Sequence, residues 1–159
     1  MKLSNTIEYA KRKSIYQVEE QLDLAPKFNE DGLLPVVTTC ANTKEVLMLG
    51  YMNKEALSLS ILTGEAHYWS RSRKSIWHKG STSGLTQHIV QIRIDDDQDS
   101  VWISVNIEGS GASCHVGYKS CFYRSIDLKN NKVLLKFEEK EKIFDPEVIY
   151  KGEENPTKL

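Results

Sequence analysis

Between Ala66 and Ile107, apolar residues return at every second position in three runs: Ala66 to Arg71, Gln87 to Ile94 and Val101 to Ile107. In the last run Val101, Ile103, Val105 and Ile107 share one face of an extended chain, and a strand with such a face must bury it against a partner. The chain is therefore committed to a sheet with one covered side. Helical signals are confined to two short stretches. Asn53 is a good N-cap, Lys54 to Thr63 carries Ala56, Leu57, Leu59, Ile61 and Leu62, and Gly64 stands where a C-cap belongs, which predicts a helix over 54–63. Ser14 followed by Gln17 is a capping-box pattern and predicts a shorter helix through Ile15, Val18 and Leu22.

Turn residues place the other strands. Asp31-Gly32 precedes a strand over Leu33 to Thr39, and Asn42-Thr43 separates it from Glu45 to Tyr51, which predicts a hairpin. Asn130-Asn131 tolerates the left-handed backbone of a tight turn and predicts a last hairpin from Cys121 to Leu128 and Val133 to Phe137. No solenoid period and no Pro/Gly/Ser-rich linker divides the 159 residues. The expected architecture is one α+β, β-rich domain over 28–137, a compact barrel-like mixed sheet with one or two short helices. A partly helical N-terminal extension over 1–27 precedes it. A charged tail over 138–159 follows, opening on Glu138-Glu139-Lys140-Glu141-Lys142, a composition that rarely packs.

Charge and cysteine usage narrow the function classes. The 21 Lys+Arg against 22 Asp+Glu give a formal charge of -1, which excludes a global attraction to nucleic acid or anionic lipid. No apolar run approaches the ~20 residues of a bilayer span, and Met1 to Gln17 lacks the apolar core of a signal peptide. The expectation is a cytoplasmic protein with neither membrane nor nucleic-acid partner. Three cysteines, Cys40, Cys114 and Cys121, are an odd number in a reducing compartment and make a disulfide framework improbable. Packing, metal binding and catalysis remain as their uses.

Three constellations carry chemistry. In Asp95-Asp96-Asp97-Gln98-Asp99, the first, third and fifth side chains project to one side of an extended chain. Three carboxylates there suit a hard cation such as Mg²⁺ or Ca²⁺, or a solvated acidic turn. The second is Gly109-Ser110-Gly111-Ala112-Ser113-Cys114-His115 continuing to Ser120-Cys121-Phe122-Tyr123. Two thiols with an imidazole beside the first suit Zn²⁺ with further ligands or an open position, a Cys-His nucleophile, or two buried structural cysteines. The third, Trp69 to Gly84, is a basic, hydroxyl-rich, glycine-containing run that does not match the P-loop spacing. It suits a phosphate grip with an indole for stacking, or a solvated basic hairpin.

The order of these segments resembles the phosphoribosyl-AMP cyclohydrolase family over about residues 28 to 124. It is carried by Asp31 to Val37, Glu45 to Asn53, His67 to Arg73, Trp77-His78-Lys79-Gly80, Thr82-Ser83-Gly84, the aspartate cluster, and Cys114-His115 with Ser120-Cys121-Phe122-Tyr123. The resemblance implies hydrolytic opening of the adenine ring of phosphoribosyl-AMP, between nitrogen 1 and carbon 6, in the third step of histidine biosynthesis. It implies a homodimer with one zinc per subunit, shared across the dimer, and a magnesium site. On that basis His115 is the catalytic acid–base, Asp95, Asp97 and Asp99 hold magnesium, and Cys114 and Cys121 hold zinc. Trp69, Arg71, Arg73, Lys79, Thr82 and Ser83 bind the substrate and its phosphates.

One position departs from the family pattern. The family's commonest sequence is Asp-Cys-Asp-x-Asp, whose cysteine is a zinc ligand, whereas this chain has Asp96 there. A carboxylate is an acceptable zinc ligand that makes the site harder, so weaker zinc binding or broader metal tolerance is expected. Cys40 is then a bystander. Some members carry a pyrophosphohydrolase downstream, and the 35 residues after Arg124 are too few for it, so cyclohydrolase activity alone is expected. Two other classes compete: a metal-dependent hydrolase of another purine nucleotide, and a zinc-stabilised nucleic-acid-binding module. A zinc nucleobase deaminase is disfavoured by the absence of its His-x-Glu and Pro-Cys-x-x-Cys motifs.

Overall fold

A computed structural model describes residues 7–159; the first six residues of the N-terminal extension lie outside the described residues. A four-stranded sheet is built from β1 (Leu34–Cys40), β2 (Val46–Met52), β5 (Gln87–Ile94) and β6 (Val101–Ile107). Its order is β2-β1-β6-β5, with β1 and β6 parallel and the outer pairs antiparallel. The alternation read in the sequence sets its faces: Val101, Ile103 and Val105 turn inward against Leu34, Val36 and Leu47, all buried. Each such side chain contributes about 1.5–3 kcal/mol on full burial.

Between β2 and β5 the chain forms α2 (Lys54–Thr63) and the hairpin β3 (His67–Ser70) and β4 (Ser75–His78). Asn53 caps α2 by accepting from the Ala56 amide at 2.8 Å, and Gly64 ends it in the left-handed region, as predicted. Helix α2 and strand β3 add Ala56, Leu57 and Tyr68 to the same core. Strand β4 falls inside the segment read as a basic run. It pairs with β3 from His67↔His78 to Ser70↔Ser75 and lifts Arg71 and Arg73 to the hairpin tip.

The sheet is open, which corrects the barrel-like expectation. Closure requires β2 to pair with β5, but irregular chain occupies both edges. On β2, Ser120 Oγ donates to the Val46 carbonyl (2.8 Å) and the Cys121 amide to the Leu47 carbonyl (2.7 Å). On β5, the Ala66 amide donates to Gln87 (3.0 Å) and the Ile89 amide to Gly64 (2.8 Å).

Two terminal elements also differ from expectation. Helix α1 (Ile15–Glu20) is capped by Ser14, but Gln17 reaches back to the Lys13 amide rather than to Ser14, and only Val18 of the expected apolar face is buried. Strand β7 (Arg124–Lys129) starts three residues later than predicted because Cys121 is bonded to β2, and it pairs with β8 (Lys132–Phe137) across Asn130-Asn131, both at positive φ. The charged tail stays mostly exposed but is tied to the domain at a few points. Its Ile143 amide donates to the Gly117 carbonyl (2.7 Å), and the Phe144 carbonyl lies so close that a side chain at Gly117 would clash. Helix α3 (Pro146–Ile149) follows. Among the described residues no helix is long and apolar enough to cross a membrane.

Candidate active site

The Cys114–Cys121 loop is a tight turn in which the Gly117 and Cys114 amides bond back to Cys114 and Tyr118 (3.0 and 3.1 Å). This brings the thiols of Cys114 and Cys121 together, with Cys121 donating to Cys114. That bond, aided by the Val116 amide and the Lys79 charge and opposed by burial, holds Cys114 below the usual thiol pKa; the same bond and burial push Cys121 up. His115 follows Cys114 in the chain. Its Nε2 is buried without a hydrogen-bond partner. Burial and then the Lys79 charge lower the imidazole pKa, against an opposing influence from the Asn155 amide.

The predicted substrate-binding residues divide into two groups. Arg71, Arg73 and Thr82 are exposed, while Trp69 and Ser83 are half-buried. The Arg71 guanidinium lies 4.1 Å over the Tyr51 ring, which gives the exposed charge a defined station. Lys79 is different. Only 3% exposed, it donates from Nζ to the Ser113 carbonyl at 2.7 Å, one residue before the first thiol.

Asp95, Asp97 and Asp99 each place a carboxylate oxygen within 4.8 Å of the others, gathered not by the extended chain expected but by a turn in which Gln98 takes a positive φ and its amide donates to the Asp95 carbonyl at 3.2 Å. Burial raises the Asp95 pKa, but the Ser100 hydroxyl and the Ser100 and Asp99 amides outweigh it and leave the pKa lowered. Asp99 is raised, by desolvation and then by Asp95 and Asp97. Asp96 is exposed and does not join the thiols within one chain; among the described residues the aspartate trio is the one group of three or more metal-ligand side chains.

Several residues that build the site were not singled out from sequence. Tyr68, fully buried, bonds Thr38 (2.7 Å) and Gln87 (2.6 Å), and Gln87 reaches Ser113 Oγ (3.4 Å). The inward register of Gln87 on β5 was a usable signal, since a buried amide needs partners. Glu139 accepts from the Lys119 and Ser120 amides (2.9 and 3.0 Å). Nothing in the tail's composition marked it or Asn155.

A family model described as phosphoribosyl-AMP cyclohydrolase matches residues 48–123. The chain is also similar to curated proteins named phosphoribosyl-AMP cyclohydrolase. That of Bradyrhizobium diazoefficiens is 47% identical over 136 residues, 86% of this chain and 96% of its own length. That of Rhizobium leguminosarum bv. trifolii is 46% identical over 133 residues, 84% and 89% of the two chains. One from Rhodopseudomonas palustris is 49% identical over 135 residues, 84% and 91%.

Proposed function

The chain belongs to the phosphoribosyl-AMP cyclohydrolase family, the hydrolases of histidine biosynthesis that open the adenine ring of phosphoribosyl-AMP, and from that premise we propose how its residues divide the reaction. The observation that carries the assignment is the buried, unpartnered Nε2 of His115, the residue that follows Cys114 of the paired thiols. In this reading that nitrogen accepts a proton from water as the water adds to ring carbon 6. It returns the proton to nitrogen 1 as the bond between the two ring atoms breaks. Trp69 offers a stacking face to the purine, and Arg71, Arg73, Thr82 and Ser83 receive the two phosphates.

The thiol pair, one member held toward thiolate, suits zinc. Cys114 and Cys121, with Asp96 of a second subunit, would hold one ion per subunit. Zinc there would supply Lewis acidity that brings the pKa of water toward roughly 7. Asp95, Asp97 and Asp99 would hold magnesium, whose charge offsets the substrate phosphates. A homodimer is favoured by the separation of Asp96 from the thiols within one chain. It is also favoured by exposed apolar surface on the last hairpin, where Ile126, Leu128, Val133, Leu134, Leu135 and Phe137 lie open.

The test is an absorbance assay of ring opening. Metal-replete protein is expected to open phosphoribosyl-AMP and to lose activity after chelation. Activity that survives complete removal of zinc and magnesium would overturn the metal assignment, and an inert metal-replete protein would overturn the reaction. Asp96→Cys is expected to bind zinc more tightly than the native chain in competition with a chromogenic chelator. Equal or weaker binding removes Asp96 from the ligand set.

A further inference from the structure

We infer that Lys79 is a positioning residue of the ring-opening centre, fastening the Ser113–His115 segment from inside the protein, and not a ligand for substrate phosphate. The inference rests on the reading of Cys114, His115 and Cys121 as that centre. Lys79 belongs to the same basic run as Arg71 and Arg73, but its stem turns into the core and only 3% of it meets solvent. A phosphate could reach it only by displacing packed chain. An ammonium withdrawn from water needs acceptors and counter-charge, and here both come from the loop that carries the thiols. Nζ donates to the Ser113 carbonyl at 2.7 Å, and the Cys114 thiol, held toward thiolate, lies close enough to act on its charge. Trp77 covers another side, its ring centre 4.8 Å from Nζ.

The placement of Lys79 is over-determined. Its own amide donates to the Ala66 carbonyl at 3.0 Å. The next residue, Gly80, has φ +92 and lies so close to Thr86 that a Cβ would stand 2.3 Å from the Thr86 nitrogen. A lysine held this firmly, 34 positions from its acceptor in sequence, joins two segments that no strand pairing connects. Loss of the ammonium frees the Ser113 carbonyl and lets the backbone of Cys114 and His115 drift. A shift of about 1 Å in reacting groups costs on the order of a hundredfold in rate.

Two readouts on Lys79→Met, which keeps the stem and removes the charge, test the inference. Steady-state kinetics of the metal-replete variant are expected to show kcat lower by about a hundredfold with KM within about threefold. Hydrogen–deuterium exchange of the metal-free variant is expected to speed up in peptides spanning residues 112–118 and to stay unchanged in β1 and β6. A tenfold rise in KM with kcat preserved and exchange unaltered would overturn the inference and return Lys79 to the phosphate ligands. Should the Met variant lose protection throughout, Lys79→Gln, shorter and uncharged but still a donor, carries the same two readouts with the same expected split. Wild-type protein that fails to open the ring would reject the underlying function, while the exchange measurement still decides whether Lys79 fastens the loop.

Discussion

The turn from Asp95 to Ser100 is held mainly by itself, whereas the loop from Ser113 to Cys121 is held by distant parts of the chain. In the turn, Asp95 accepts from the Asp99 amide (2.9 Å), the Ser100 amide (3.1 Å) and the Ser100 hydroxyl (2.6 Å). Only Gln98 looks outward, taking the Ala25 amide (2.8 Å) and donating to the Val18 and Asp23 carbonyls (2.9 and 3.1 Å). The thiol loop depends on Lys79 from the basic run, Gln87 from β5, the edge of β2, and Glu139 from the tail. The carboxylate trio, which we propose holds a hard cation, is gathered by one turn of six consecutive residues. The thiol loop, where we propose that zinc and a proton-transferring imidazole act, is assembled where four segments meet.

That contrast can be broken in two places. Gln98→Ala strands two buried backbone groups, the Ala25 amide and the Val18 carbonyl, and a partly buried third at Asp23, so a loss of about 3 kcal/mol in unfolding free energy is expected by denaturant titration. Faster exchange should be confined to residues 18–27 and the aspartate turn. Exchange that also rises across 113–121 would show that the two regions are not separately held. Glu139→Ala removes one carboxylate from two amides and is expected to cost less, about 1–2 kcal/mol. It should speed exchange at Lys119 and Ser120 while leaving Asp95 to Ser100 as they are. An unaltered loop would mean that the tail only rests on it.

The same distinction explains what could be read in advance. Helix α2, β5 and β6 match their predicted bounds, and the Asn130-Asn131 turn falls where expected, because caps, turn residues and alternation act within a few positions. The aspartates were legible as a local run of carboxylates, but the turn through Gln98 that gathers Asp95, Asp97 and Asp99 was not. The proximity of Cys114 and Cys121 was legible only as a spacing, and the elements that fix it were not. Nothing local distinguishes Lys79 from Arg71 and Arg73: one points inward because β4 ends at His78 and Gly80 admits a backbone approach that other residues forbid. Strand β4 itself has four residues and exists by pairing with β3, so composition concealed it. The open sheet follows from edge bonds made by Ser120 and Cys121, contacts more than seventy positions away in sequence.

We place ring opening at the thiol loop, with His115 in it. Steady-state kinetics of His115→Ala beside wild type on phosphoribosyl-AMP, both metal-replete, test it most directly. The expected result is a fall in kcat of roughly 10²–10⁴-fold, the usual worth of a general acid–base, with KM little changed. A variant that retains wild-type kcat would contradict it.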